Sequence, residues 1–174
     1  MKEGMTFFGM TLVVLAGCYV YICSLGGFAS TQPPLSSTQP PAASCGYQDY
    51  RCMARQDATN HGISADLYER QINQESGFNP RAVSPMGAIG IAQIMPSTAA
   101  GWHVDPWDPV ASLSVAADHM HWYYQHYGYD YSKALSAYNA GTASTDSAIA
   151  RYGANWRVGL PAETQYYILA IVGY

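Results

Sequence analysis

Ser64-Ala65-Asp66-Leu67-Tyr68-Glu69-Arg70-Gln71-Ile72-Asn73-Gln74-Glu75-Ser76-Gly77 has the form of a capped amphipathic helix. Ser64 supplies an N-cap oxygen, and Gly77 can close the helix in the left-handed region. Tyr68, Ile72 and Glu75 recur at i, i+4 and i+7, so the Glu75 carboxyl shares a face with two side chains that pack inward. A carboxyl on that face loses hydration, and its pKa rises because burial penalises the charged form. The helix end acts in the same direction, since the negative end of the macrodipole disfavours a carboxylate by about 0.3–1 kcal/mol. Burial is the larger effect. A carboxylic acid that keeps its proton near neutral pH is what general acid catalysis needs. Periodicity alone leaves open the alternative of a helix-end carboxylate that curls into water.

Outward from this helix the chain predicts further helices joined by short turns. The clearest is Pro109 to Tyr127, with Asp108 as N-cap, Pro109 as first helical residue and Gly128 as stop. Leu113, Ala116, Ala117, Met120, Tyr124 and Tyr127 form its buried stripe. A helix from about Ser132 ends at Gly141, another runs from about Pro161 toward the C-terminus, and shorter ones are expected over Asp49 to Asn60 and Thr145 to Tyr152. No period-two alternation with a hairpin turn stands out, so the class is mainly α.

Upstream, Met5 to Ala29 carries no charged residue. A helix of that length exceeds the roughly 30 Å hydrocarbon core of a bilayer. An uncleaved anchor, a secretory signal cut near Gly27-Phe28-Ala29, and a lipoprotein signal at Leu15-Ala16-Gly17-Cys18 compete for this segment, and all three export the remainder. Ser30 to Ser44 contains Ser-Thr-Gln-Pro-Pro twice, which forbids helix and gives a semi-rigid spacer. The division is therefore 1–29 membrane or signal segment, 30–44 linker, and 45–174 a single domain. Cys45 and Cys52 are the only cysteines beyond the apolar run. A bridge between them requires Cys45 to precede the helix, because seven residues along one helix span about 10.5 Å.

The chain has 174 residues, of which only 11% are charged, with a net charge of −4; this argues against a nucleic-acid binder, which needs a basic stripe. Its 15 Tyr and 4 Trp suit either a core or flat platforms for a sugar. For Trp102, Trp107, Trp122 and Trp156, core packing is the default. His119, His121 and His126 share a helix, but no Cys or acidic partner completes a tetrahedral set, so they read as solvated histidines and no metal is expected.

Three blocks carry a resemblance. Glu75-Ser76-Gly77-Phe78-Asn79-Pro80-Arg81-Ala82-Val83-Ser84-Pro85-Met86-Gly87-Ala88-Ile89-Gly90-Ile91-Ala92-Gln93-Ile94-Met95-Pro96-Ser97-Thr98-Ala99 resembles the signature of the soluble lytic transglycosylase family, whose catalytic domain is lysozyme-like. Ala137-Tyr138-Asn139-Ala140-Gly141 and Pro161-Ala162-Glu163-Thr164-Gln165-Tyr166-Tyr167 are similar to later parts of the same family. The resemblance implies cleavage of the β-1,4 bond between N-acetylmuramic acid and N-acetylglucosamine in peptidoglycan, leaving a 1,6-anhydromuramyl end, with no cofactor. It puts Glu75 at the position of the single catalytic acid/base, Ser84, Gln93 and Met95 at cleft-lining positions, and Tyr138 and Asn139 at positions that hold substrate. Glu163 and Tyr167 fall on the block that closes the cleft.

Residue chemistry supports these assignments separately. Ser84 and Gln93 both donate and accept hydrogen bonds, as acetamido and hydroxyl groups require. Gly87 and Gly90 either let backbone approach a saccharide closely or punctuate a turn. No acidic residue lies between Glu75 and Asp105, and Glu163 is the only distant carboxylate in a matching block. A two-carboxylate glycosidase needs its second acid within about 5 to 9.5 Å of the first. The chain departs from the family at Gly90-Ile91-Ala92-Gln93, where Ala replaces the usual Met and puts packing of the cleft wall in doubt, and at Gln165, where Arg is common.

Two other function classes are open on sequence. A goose-type lysozyme would share fold and acid but hydrolyse with water, and a non-catalytic peptidoglycan-binding protein would keep the cleft without the chemistry. An exported, membrane-anchored wall cutter on the periplasmic or wall side suits local opening of peptidoglycan for a secretion or conjugation apparatus, or for a phage virion with its own membrane.

Overall fold

The computed structural model describes residues 44–173. The expected membrane or signal segment 1–29 and nearly all of the linker lie outside the described residues. Among the described residues, no helix is long and apolar enough to cross a membrane.

Among the described residues seven α-helices follow one another: α1 (Tyr50–Asn60), α2 (Ala65–Ser76), α3 (Pro96–Trp102), α4 (Pro109–His126), α5 (Tyr131–Ala140), α6 (Thr142–Tyr152) and α7 (Ala162–Val172), with a 3-10 segment at Gly153–Gly159. Side-chain caps set most of the starts. Asp49 accepts from the Cys52 amide, Ser64 from Leu67, Asp108 from Val110 and Ala111, and Asp130 from Lys133. Gly77 closes α2 in the left-handed conformation at φ 62°. α6 begins at Thr142, directly after Gly141 and three residues ahead of its expected start.

α2 packs on α1 and α7, α4 on α1 and α5, and α5 on α6 and α7. Tyr68, Ile72, Leu113, Met120, Leu135, Ile168 and Ile171 form the center of the core, all fully buried. The Tyr68 hydroxyl donates to the Leu113 carbonyl at 2.6 Å, which satisfies the phenol inside that core. Cys45 precedes α1 and is bonded to Cys52 in its first turn, with the Cα atoms 5.6 Å apart.

The segment between α2 and α3 has no regular element, only isolated bridges of Ile89 with Val83 and Ile94. It is nevertheless anchored, because Ile91, Ala92 and Ile94 are buried. Gly90 sits at φ 75° with its amide on the Ala82 carbonyl at 2.8 Å. A Cβ at Gly90 would collide with the Pro106 carbonyl oxygen. The close approach this glycine permits is therefore to the protein's own backbone. At Gly87, also at positive φ, a Cβ would meet nothing.

Two default expectations change. Of the four Trp, only Trp156 is buried; Trp107 and Trp122 are about half exposed, Trp122 because it stands two residues from Met120 and so off the inward stripe of α4. His119 is not simply solvated: its ring stacks on Trp102 with centroids 3.8 Å apart, and its pKa is lowered by burial. His121 is likewise half-buried.

Candidate active site

Glu75 occupies the last turn of α2, one residue before its end at Ser76. Tyr68 and Ile72 on the same face are fully buried, and Glu75 itself is half-buried, turned along the core instead of out into water. Burial raises its carboxyl from the ordinary 4.5 to about 7, and a hydrogen bond donated by the Tyr167 hydroxyl of α7 offsets part of that rise. No second carboxylate contributes to the shift. Tyr167 is held well above the usual phenol range, first by burial and then by the neighbouring Glu75 charge, so it stays a donor.

The contact between Glu75 and Tyr167 joins residues 92 apart in sequence. Two further bonds fix the wall around it. The Ser76 hydroxyl donates to the Ile91 carbonyl at 2.6 Å, tying the end of α2 to the 78–95 segment. The Tyr138 hydroxyl of α5 donates to the Ala92 carbonyl at 2.8 Å. Tyr138 also lies within the field of Glu75, which together with burial raises its pKa well above the ordinary value. Glu75, Tyr138 and Tyr167 are thus brought together by α2, α5 and α7.

The other residues singled out in the sequence take these places. Ser84 accepts from the Ala88 amide at 3.0 Å through its hydroxyl, in a turn that its own backbone also closes. Gln93, at φ 48°, donates through Nε2 to the Gly90 carbonyl at 2.8 Å and the Ala82 carbonyl at 3.4 Å. Met95 precedes α3 and is 39% exposed. Asn139 is exposed and accepts from the Thr164 hydroxyl at 2.8 Å, which ties the end of α5 to the start of α7. Glu163 is exposed in the first turn of α7, one turn before Tyr167, and no contact joins it to Glu75. Gln165 caps the turn ahead of it by donating to the Leu160 carbonyl at 2.9 Å.

Ser76 and Thr164 escape residue-by-residue reading, although both stand beside singled-out acids. Among the described residues no cluster of three or more His, Cys, Asp or Glu could hold a metal ion.

Chemically, the arrangement offers one carboxyl that burial raises to about 7 and a phenolic hydroxyl that donates to it. Residues 53–157 match the Transglycosylase SLT domain family. The chain is 34% identical over 79 residues to the soluble lytic murein transglycosylase of Escherichia coli (strain K12), covering 39% of this chain and 12% of that protein. It is 38% identical over 86 residues to the transglycosylase of Enterobacteria phage PRD1, covering 49% of this chain and 32% of that one. The chain therefore spans well under half the length of these relatives. The crystal structure of the 70 kDa soluble lytic transglycosylase from Escherichia coli superposes with a TM-score of 0.63 at 24% identity, covering 70% of this chain and 22% of that one, which shows a shared fold. On the extent of the family match, the chain belongs to the Transglycosylase SLT domain family.

Proposed function

We propose that the domain is a peptidoglycan lytic transglycosylase in which Glu75 acts alone as acid and base. The observation that carries this is the Glu75 carboxyl itself, raised to about 7 by burial and bonded by Tyr167, with no second carboxylate contributing. Such a group is about half protonated at neutral pH, and the protonated fraction can give its proton to the glycosidic oxygen. As the bond to the leaving sugar breaks, the substrate's own acetamido group steadies the positive anomeric carbon. Glu75, now ionised, keeps the Tyr167 hydrogen bond and accepts the proton of the muramyl C6 hydroxyl as that oxygen closes on the anomeric carbon. The ring closure is intramolecular, so it needs neither water nor a nucleophilic carboxylate. Ser84, Gln93 and Asn139 serve as substrate-binding groups at the rim, Met95 as apolar wall and Glu163 as a rim carboxylate, while Tyr138 supports the cleft through Ala92.

The export reading of residues 1–29 places this activity beyond a membrane, where the wall lies. It suits local opening of peptidoglycan for a secretion or conjugation apparatus, or for a virion carrying a membrane. One similar protein is a phage transglycosylase, and capsid or secretion genes next to this one would choose between the two settings.

Mass spectrometry of digested cell wall tests the chemistry. Anhydromuramyl ends, lighter by one water, are expected. Only hydrated reducing ends would instead make the enzyme a hydrolase of the goose-lysozyme type, and a Glu75→Gln variant that clears wall as well as the parent would make it a non-catalytic binder.

A further inference from the structure

Gln71 is fully buried, and among the described residues neither its Nε2 nor its Oε1 has a hydrogen-bond partner. An amide left this way is less stable than an apolar side chain of its size, so its polar atoms call for a partner beyond the side chains and backbone around it. Its place on α2 says where. Gln71 stands one turn before Glu75, at the i, i+4 spacing that makes helix side chains neighbours. Arg70 donates to the Ile171 carbonyl at 3.3 Å, and Arg70 and Gln74 line one cavity with Ala170, so this flank of α2 meets α7. Gln71 lies between that flank and the inward Tyr68 and Ile72, about 40° around the axis from Glu75 at roughly 100° per residue. It is therefore buried toward the helix that carries Tyr167, Ile168 and Ile171. Buried polar groups in this situation are commonly bridged by an internal water.

We propose that Gln71 is a positioning residue, whose amide acts through one buried water on the Glu75 carboxylate oxygen that Tyr167 leaves free and steadies the ionised acid between its two proton transfers. The amide Nε2 donates to the water, and the water donates to the carboxylate. This rests on the acid/base role proposed for Glu75. The other groups that face Glu75 are neutral phenols: Tyr167 from α7, Tyr138 from α5 and Tyr68 from α2, all raised well above the ordinary range. Tyr131 of α5 acts on Tyr68 and Tyr167, and Asp57 of α1 acts on Tyr68. Arg51 and Arg55 are paired with Glu69 on the outer face of α2.

The test reads the Glu75 carboxyl directly. The chain has four Glu, so the full-length protein in detergent, labelled with carboxyl 13C-glutamate, gives four titrating signals, and Glu75→Gln identifies the one that belongs to Glu75. In Gln71→Leu the Glu75 midpoint is expected to move up by about one pH unit, because a donor to the charged form is lost. Wall-digestion kcat is expected to fall while KM holds. A Glu75 midpoint and kcat equal to the parent's would overturn the proposal and leave Gln71 as core filling. Gln71→Met carries the same expectation if the branched side chain disturbs folding. Should the transglycosylase reading fail instead, the midpoint would still move while the products lacked anhydro ends, so the two failures are distinguishable.

Discussion

Replacing Glu75 by Gln removes the candidate acid and, on the same physical grounds, stabilises the fold at alkaline pH. The folded carboxyl titrates near 7 against an ordinary 4.5. Below 4.5 both folded and unfolded chains are protonated there, and the group contributes no difference. As pH rises from 4.5 to about 7 the unfolded chain releases a proton that the folded chain keeps, so stability falls over that window and stays lowered above it. At about 1.4 kcal/mol per pH unit the full loss approaches roughly 3 kcal/mol. Glu75 is only half-buried by surface, and solvent screening brings the expected loss to about 1–3 kcal/mol. Gln keeps the size and the carbonyl oxygen that accepts from Tyr167 but never ionises. Urea unfolding of the full chain in detergent should therefore show parent and variant close together at pH 4. At pH 8 the variant should be more stable by about 1–3 kcal/mol, while wall digestion is lost by about 100-fold or more. A stability difference that does not change with pH, or a parent that is the more stable at pH 8, would refute the burial of this carboxyl.

Tyr167→Phe removes the hydroxyl that favours the charged form, so the alkaline limb of the pH–activity profile should move to higher pH by about one unit and kcat should fall. A limb that stays in place would mean that Tyr167 does not bond Glu75 in the working enzyme. Gly90→Ala forces a positive-φ residue and a collision with the Pro106 carbonyl, so thermal unfolding should show a loss of about 2 kcal/mol or more, with activity lost as the 78–95 wall shifts. An unchanged melting temperature would place that segment elsewhere.

What was legible in the sequence was what short-range chemistry controls. The cap pairs Ser64 with Gly77 and Asp108 with Pro109 bound their helices to within a residue, because each cap satisfies amides next to it in the chain. α3 is hard to read locally: it has seven residues and no side-chain cap, and Pro96 at its first position is its one local signal. The 78–95 wall has no period to read, since buried Ile91 and Ile94 and the Gly90 contact with Pro106 hold it from outside. Periodicity put Glu75 on the inward face. The resemblance puts Tyr167 on the block that closes the cleft but says nothing of its bond to Glu75, which joins residues 92 apart and has no local signal.

The departure at Ala92 shows why such a wall tolerates change. The shorter side chain is fully buried, and the tie from α5 at this position runs from the Tyr138 hydroxyl to the Ala92 carbonyl. The parallel tie from Ser76 ends on the Ile91 carbonyl. Both acceptors are backbone atoms, so they are present whatever side chain stands at 91 or 92, provided that Gly90 keeps its positive φ and presents the carbonyls in that direction. The constraint on this segment therefore falls on one glycine and two hydroxyl donors, and the shorter side chain at 92 leaves both ties in place, while its full burial limits how large a replacement can be.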